Sequence, residues 1–243
     1  MISVLHKIYW MVFPIRIMRN HLFRIEQFVK ETASLHNRPG VRILDIGAGT
    51  SPYRKYFSQA EYVAQDIHQN DEGTIAILGD INQGLENIAD ESFDVIISFQ
   101  VLEHLCRPET VYKECFRMLR PGGRLYLTTH LIFEEHLIPY DYFRFTRYGL
   151  RWLGEATGFK VERIAPHGGV FQVLALIVST LPIKIFLQRD TIAYYAYGIL
   201  FAVPILLFNG LCTLLDNLDR KKDMTLNYEC IYVKQSVDGK GPS

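Results

Sequence analysis

Leu44-Asp45-Ile46-Gly47-Ala48-Gly49-Thr50-Ser51 is the stretch on which the fold reading turns. The run Val41–Ile46 reads as a short buried strand, and the glycines after it mark a sharp turn at its end. Glycines at such a turn let the backbone approach a ligand closely and leave amides free to bind it. Taken alone, the two glycines fit a plain tight turn or a dinucleotide-binding loop of the G-x-G-x-x-G kind. The second option fails here, because the position of its third glycine holds Pro52, which would obstruct close helix–strand packing.

Downstream, short apolar runs alternate with helical stretches, the mark of β-α-β units around a parallel sheet. Glu61–Gln65 reads as a second strand ending at Asp66, and Thr74–Leu78 as a third ending at Gly79-Asp80. Phe93–Phe99 is nearly all apolar, as a strand covered on both faces should be. A helix beginning at Pro108 is stopped by Pro121-Gly122-Gly123, and Arg124–Thr129 is a fifth strand. Tyr148–Thr157 is a helix closed by Gly158. Lys160–Ala165 and Asn227–Gln235 complete the set of strands.

Carboxylates close successive strands. Asp66 can accept both hydroxyls of a ribose, Asp80 lies within reach of an adenine edge, and Asp45, ahead of the glycines, can hold a cationic amino group. The pattern suits a nucleoside carrying an amino-acid tail better than a pyrophosphate. The bland alternative for each carboxylate is a helix cap or an exposed loop residue.

As an ordered set, Asp45-Ile46-Gly47-Ala48-Gly49, Asp66, Asp80, Phe93-Asp94-Val95-Ile96, Val101-Leu102-Glu103-His104-Leu105 and Leu119-Arg120-Pro121-Gly122-Gly123 resemble the class I S-adenosylmethionine-dependent methyltransferases. The resemblance covers residues 41–166 and 226–236. It implies a Rossmann-like seven-stranded α/β sheet, S-adenosyl-L-methionine as cofactor and methyl transfer as the reaction. It further implies that Asp45, Gly47 and Gly49 line the methionine moiety, Asp66 the ribose, and Asp80 with Ile81 the adenine. Phe99 and Gln100 would face the sulfonium. Ser51 stands where the family usually has a third glycine. Glu103-His104 is common in the family whatever the substrate, so a structural or cofactor-positioning part is expected of it.

The acceptor side is expected elsewhere. His130 ends the fifth strand, and Pro139-Tyr140-Asp141-Tyr142-Phe143-Arg144-Phe145-Thr146 is unusually rich in Tyr, Asp and Arg for a connector. That segment is similar to a Pro-x-Asp-Tyr-x-Arg-Phe-Thr segment of a bacterial methyltransferase subgroup associated with cell-surface saccharide synthesis. His130 or Asp141 could take the acceptor proton, with Tyr140, Tyr142 and Arg144 contacting the substrate. The alternatives are that Asp141 pairs with Arg144 to fix the loop and that His130 is a core histidine.

Composition bounds the rest. The 243 residues suit one large domain or one domain with extensions. Lys plus Arg total 26 against 26 Asp plus Glu, which argues against a nucleic-acid partner. Cys106, Cys115, Cys212 and Cys230 lie far apart with no clustered His, so neither a disulfide framework nor a metal site is expected. Yet the 48 residues from Gly168 to Leu215 carry only Lys184, Arg189 and Asp190 as charged groups.

Within that stretch Val170–Leu187 and Tyr194–Leu215 each approach the ~20 residues of a bilayer-crossing helix. Pro182, Pro204 and Lys184 favour a shallow helical hairpin in contact with a membrane, and a lid or dimer interface is the soluble alternative. The first 30 residues are basic and aromatic, which suits a membrane interface or an amphipathic helix capping the core. No signal peptide is read there. The expected organisation is therefore a basic helical extension over 1–40, a core over 41–167, an apolar insert over 168–225 and a last strand with tail over 226–243. The protein is expected on the cytoplasmic side of a membrane, with a small-molecule or lipid-linked acceptor. A non-catalytic membrane-bound module that kept the fold is the competing function class.

Overall fold

The computed structural model describes residues 20–186 and 191–236. Seven strands form one sheet: β1 Arg42–Ile46, β2 Glu61–Asp66, β3 Ile77–Leu78, β4 Phe93–Phe99, β5 Leu119–His130, β6 Lys160–His167 and β7 Asn227–Val233. Their order is β3-β2-β1-β4-β5-β7-β6. β1 through β5 pair in parallel, whereas β7 runs antiparallel to β5, with Arg124 opposite Val233 and His130 opposite Asn227. This is the Rossmann-like class I methyltransferase sheet that the motif series implies. The order reverses between β1 and β4, and the turn after β1 opens on that crevice, where open α/β sheets bind ligands.

Two strands differ from the sequence reading for identifiable reasons. β3 is only two residues long because side chains take the amides before it: Asn70 Oδ1 accepts from Thr74 N at 2.8 Å and Gln69 Oε1 from Ile75 N at 2.9 Å. β5 begins at Leu119 instead of Arg124. Its pairing with β4 skips from Phe93–Leu119 to Val95–Arg124, and Gly122 N donates to Lys234 O across the bulged segment at 2.6 Å.

Three helices cover the sheet. In α1 (Asn20–His36) the buried residues Ile25, Phe28, Val29, Thr32 and Ala33 recur at helical spacing. Phe28 meets Phe99 and Tyr126 edge-on or tilted, each with ring centroids 5.9 Å apart. The helical part of the basic N-terminal segment from Ile25 onward is thus built into the core. The reading of residues 1–19 lies outside the described residues. On the other face, α2 (Pro108–Met118) contributes Val111, Tyr112, Cys115 and Met118, and α3 (Arg147–Ala156) contributes Leu150 and Leu153. They pack with Leu44, Ile46, Ile96, Leu125, Leu127, Cys230 and Tyr232 in one continuous core. Thr146 caps α3, its Oγ1 accepting from Gly149 N at 3.2 Å.

Residues 20–24 with Pro166–Leu226 form one compact unit, and Ile25–Ala165 with 227–236 form another. In the first lie α4 (Val170–Phe186), α5 (Ile192–Leu200) and α6 (Ala202–Leu215). The charge-free run Tyr194–Leu215 is therefore not one helix. It breaks at Phe201 (φ −98°, ψ 7°), and Pro204 sits in the first turn of α6, where its missing N–H costs nothing. Among the described residues no helix is long and apolar enough to cross a membrane. α4 packs on α6 through buried polar bonds: Asn209 Nδ2 donates to Ser179 Oγ at 3.1 Å and Gln172 Nε2 to Thr213 Oγ1 at 3.0 Å. Asp216, buried, caps the start of α4 by accepting from Gly169 N at 3.0 Å.

Candidate active site

The turn after β1 holds the first cluster. Gly47 (φ +67°) and Gly49 (φ +53°) are left-handed. A Cβ on Gly47 would stand 2.5 Å from Val101 Cγ1, so only glycine fits beneath that side chain, whereas the space around Gly49 is open. Ser51, in the place of the family's third glycine, keeps the glycine-like backbone at φ +52° and so carries the cost of a side chain there.

The three carboxylates sit differently. Asp45 is buried and accepts a hydrogen bond from the Tyr62 hydroxyl; burial pushes its pKa up to about 7, with that bond opposing the shift. Asp66 closes β2. Its Oδ2 accepts from Gly49 N at 2.8 Å and its Oδ1 from Ile67 N at 2.7 Å and His68 N at 3.4 Å, which leaves lone-pair capacity on Oδ2. Asp80 caps the short turn Ile81–Gln83, accepting from Asn82 N at 3.0 Å, and Ile81 is buried in the core. The cap expected as the bland alternative is thus present at Asp80.

At the end of β4, Phe99 is buried and meets Tyr53 edge-on at 5.3 Å. Gln100 is left-handed at φ +59°, its amide donating to Thr128 O at 3.0 Å and its Nε2 to Thr128 Oγ1 at 2.9 Å. A non-glycine residue held this way at a strand end over the ligand crevice is the kind of strain that functional sites store.

The acceptor-side residues come together in part. Asp141 is bound bidentately by Arg144, with Oδ1 to Nη1 and Oδ2 to Nη2 both at 2.7 Å. Those bonds hold its carboxyl well below the usual carboxylate range. Arg144 also donates to Glu134 O at 3.0 Å and Phe143 O at 2.8 Å. The pair therefore staples the loop, and a carboxylate so engaged is a poor proton acceptor. Tyr140 and Tyr142 are exposed, while Tyr142 N donates to Glu103 O at 2.9 Å. His130 is buried, stacked on Phe133 with centroids 4.3 Å apart, and its Nε2 lies 3.4 Å from Glu103 Oε1.

Glu103, His104 and His136 belong to this cluster and were not singled out for it by the sequence. Glu103 is fully buried, its Oε2 accepting from Thr129 Oγ1 at 2.8 Å, and burial raises its pKa to about 7. Glu103, His130 and His136 stand 27 and 6 residues apart along the chain, so no spacing rule links them. A further cleft lies away from these strand ends. It is about 540 Å³, beside His36, Arg124 and Tyr126.

Residues 44–127 match the family model described as a methyltransferase domain. The ubiquinone biosynthesis O-methyltransferase of Pseudomonas fluorescens (strain SBW25) is 28% identical over 106 residues, which is 38% of this chain and 46% of that protein. A malonyl-[acyl-carrier protein] O-methyltransferase of Methylococcus capsulatus is 35% identical over 107 residues, 37% of this chain and 38% of that protein. The matched region thus spans less than half the length of these relatives. A SAM-dependent methyltransferase from Archaeoglobus fulgidus superposes with a TM-score of 0.54 at 16% identity, covering 89% of this chain and all of that one. These similarities agree with the class I methyltransferase fold, the enzyme class and the S-adenosylmethionine cofactor expected from the sequence.

Proposed function

We propose that the protein transfers the methyl group of S-adenosyl-L-methionine to an oxygen of a small or carrier-linked acceptor. The observation that carries the reading is the Gly47–Ser51 turn tied to Asp66 at the reversal of strand order. Its left-handed glycine backbone, with open space around Gly49, and the carboxylates at successive strand ends suit a nucleoside with an amino-acid tail. The two curated relatives named above are both O-methyltransferases, which supports oxygen as the atom methylated.

In this reading Asp45 and the glycine turn hold the methionine moiety, Asp66 the ribose, and Asp80 with Ile81 the adenine. Phe99 and Gln100 border the sulfonium. The acceptor oxygen attacks the methyl carbon in line with the C–S bond, the sulfur keeps the bonding pair as a neutral thioether, and the acceptor's proton must leave. Holding the oxygen within ~3–3.5 Å of the methyl group supplies much of the rate. His130, at the end of β5 with Glu103 behind it, holds the acceptor oxygen and its proton, and Tyr140 and Tyr142 border the acceptor. Arg144 and Asp141 act as positioning residues for that loop. The likeness of Pro139–Thr146 to a saccharide-associated subgroup supports a sugar hydroxyl as the acceptor group.

The insert over 168–225 is proposed to rest on a membrane. On α4, Leu174, Ile177, Val178, Leu181 and Ile185 are exposed at helical spacing, and on α6 so are Val203, Leu207, Leu211 and Leu214. Contiguous apolar stripes of this kind mark lipid or partner contacts.

The test is a calorimetric titration with S-adenosylmethionine followed by transfer of a labelled methyl group to the components of a lipid and saccharide extract. Binding with label in an alkali-stable ether or an alkali-labile ester supports the reading. Failure of the folded protein to bind the cofactor defeats it.

A further inference from the structure

Two histidines at the acceptor end of the sheet face each other through nitrogens that can only accept. His104 Nδ1 lies 2.8 Å from Tyr140 O, and His136 Nδ1 lies 3.1 Å from Glu134 O. A carbonyl oxygen has no proton to give, so in each neutral ring Nδ1 carries the hydrogen and Nε2 carries a lone pair. Yet His104 Nε2 and His136 Nε2 stand 3.1 Å apart. Two lone pairs at that distance repel unless a proton or a metal ion lies between them.

The surroundings supply further donors. Ligand atoms of Glu103, His130 and His136 all lie within 4.8 Å of one another. Glu103 is fully buried; Oε2 is used by Thr129, whereas Oε1 has no hydrogen-bond partner and points toward His130 Nε2 at 3.4 Å. Behind His136, Asp141 Oδ2 approaches Nδ1 at 3.4 Å and accepts from the His136 amide at 2.9 Å, while Arg144 fixes the carboxylate. A carboxylate behind a ring whose other nitrogen points at the cluster is the arrangement that orients histidines on metal ions.

We infer that Glu103, His130 and His136, with His104 as a fourth donor, form a binding site for a divalent transition-metal ion. Imidazole and carboxylate donors suit the Zn²⁺, Co²⁺ and Mn²⁺ class better than Ca²⁺ or Mg²⁺, which prefer all-oxygen shells. The site contains no cysteine, which is why counting cysteines gave no sign of it. Its use in methyl transfer rests on the function proposed above. There an ion would bind the acceptor oxygen and ease loss of its proton, so that His130 would hold the ion instead of taking the proton.

The test is calorimetric titration of the full-length, chelator-stripped protein with Zn²⁺, together with the visible spectrum of the Co²⁺ form, both without S-adenosylmethionine. The expected result is one ion per chain and an intense Co²⁺ d–d band. His136→Ala should weaken Zn²⁺ binding by ~100-fold or more, and Asp141→Asn, behind the ligand, by ~10–100-fold. Cys106→Ser, which removes an exposed thiol, should leave the titration unchanged. Circular dichroism of each variant establishes that it is folded. The inference is overturned if the folded wild type binds no Zn²⁺, if the doubly substituted His104→Ala, His136→Ala protein binds as tightly as wild type, or if Cys106→Ser abolishes binding. Because no cofactor is present, failure of the metal site and failure of the methyltransferase reading are separate results.

Discussion

The backbone amide of Gly49 donates to the Asp66 carboxylate at 2.8 Å, so one side chain at the end of β2 fixes the glycine turn after β1. Replacing Asp66 therefore frees the glycine turn as well as removing the carboxylate proposed for the ribose. Asp66→Ala should weaken S-adenosylmethionine binding about tenfold or more, the equivalent of losing charge-assisted hydrogen bonds worth ~1.5–3 kcal/mol. Isothermal titration of wild type and variant checks this, and equal affinities would remove Asp66 from the cofactor site.

Gly47 and Ser51 should respond in opposite senses. Gly47→Ala brings a Cβ to 2.5 Å from Val101 Cγ1 at a left-handed backbone and should cost roughly 2–4 kcal/mol. Adding Val101→Ala should recover part of that loss. Ser51→Gly relieves a left-handed serine and should stabilise by up to about 1 kcal/mol, offset in part by greater unfolded-chain entropy. Urea unfolding of the three variants decides the matter.

Asp45 makes cofactor affinity and stability depend on pH. Its folded pKa of about 7 lies above the unfolded value, so its contribution to stability is fully present in acid and is lost as pH rises through about 7. The ammonium group of the cofactor favours the ionised form, so affinity should rise over the same range and binding should release a proton below pH ~7. Asp45→Asn should flatten both dependences. Titrations in buffers of different ionisation enthalpy measure the proton directly, and a pH-independent affinity from about pH 5 to about pH 8 would contradict the assignment.

Asp141 should act through the loop and not as a base. Asp141→Asn breaks the bidentate contact with Arg144 and should destabilise the fold by roughly 1.5–3 kcal/mol. The pH–rate profile should keep its shape while the amplitude falls. Loss of a titration step from that profile, with unchanged melting, would restore Asp141 as the proton acceptor.

The exposed stripe of α6 predicts how the insert behaves. Leu207→Glu combined with Leu211→Glu places two charges on the exposed face and should abolish co-flotation with anionic lipid vesicles without lowering the melting temperature. Co-flotation unaffected by both charges would move the membrane contact away from this helix.

The sequence by itself determined the sheet and the gathering of Asp45, the glycine pair and Asp66 at the turn after β1. Those features are local: a continuous apolar run such as Phe93–Phe99 must be covered on both faces, and a glycine pair after a strand must turn. A carboxylate at a strand end falls on the ligand edge whatever the helices do. Tertiary structure alone decided the rest. Tyr194–Leu215 reads as one apolar helix because hydropathy cannot see the break at Phe201. In the sequence Asp141 reads equally as base or staple, and only the folded loop brings Arg144 onto both of its oxygens. Glu103, His104, His130 and His136 meet only because the parallel sheet brings the ends of β4 and β5 side by side and the 131–146 loop returns over them. Periodicity reports which residues share a face of one element; which ends of different elements meet is set by strand order, and that depends on packing the whole chain.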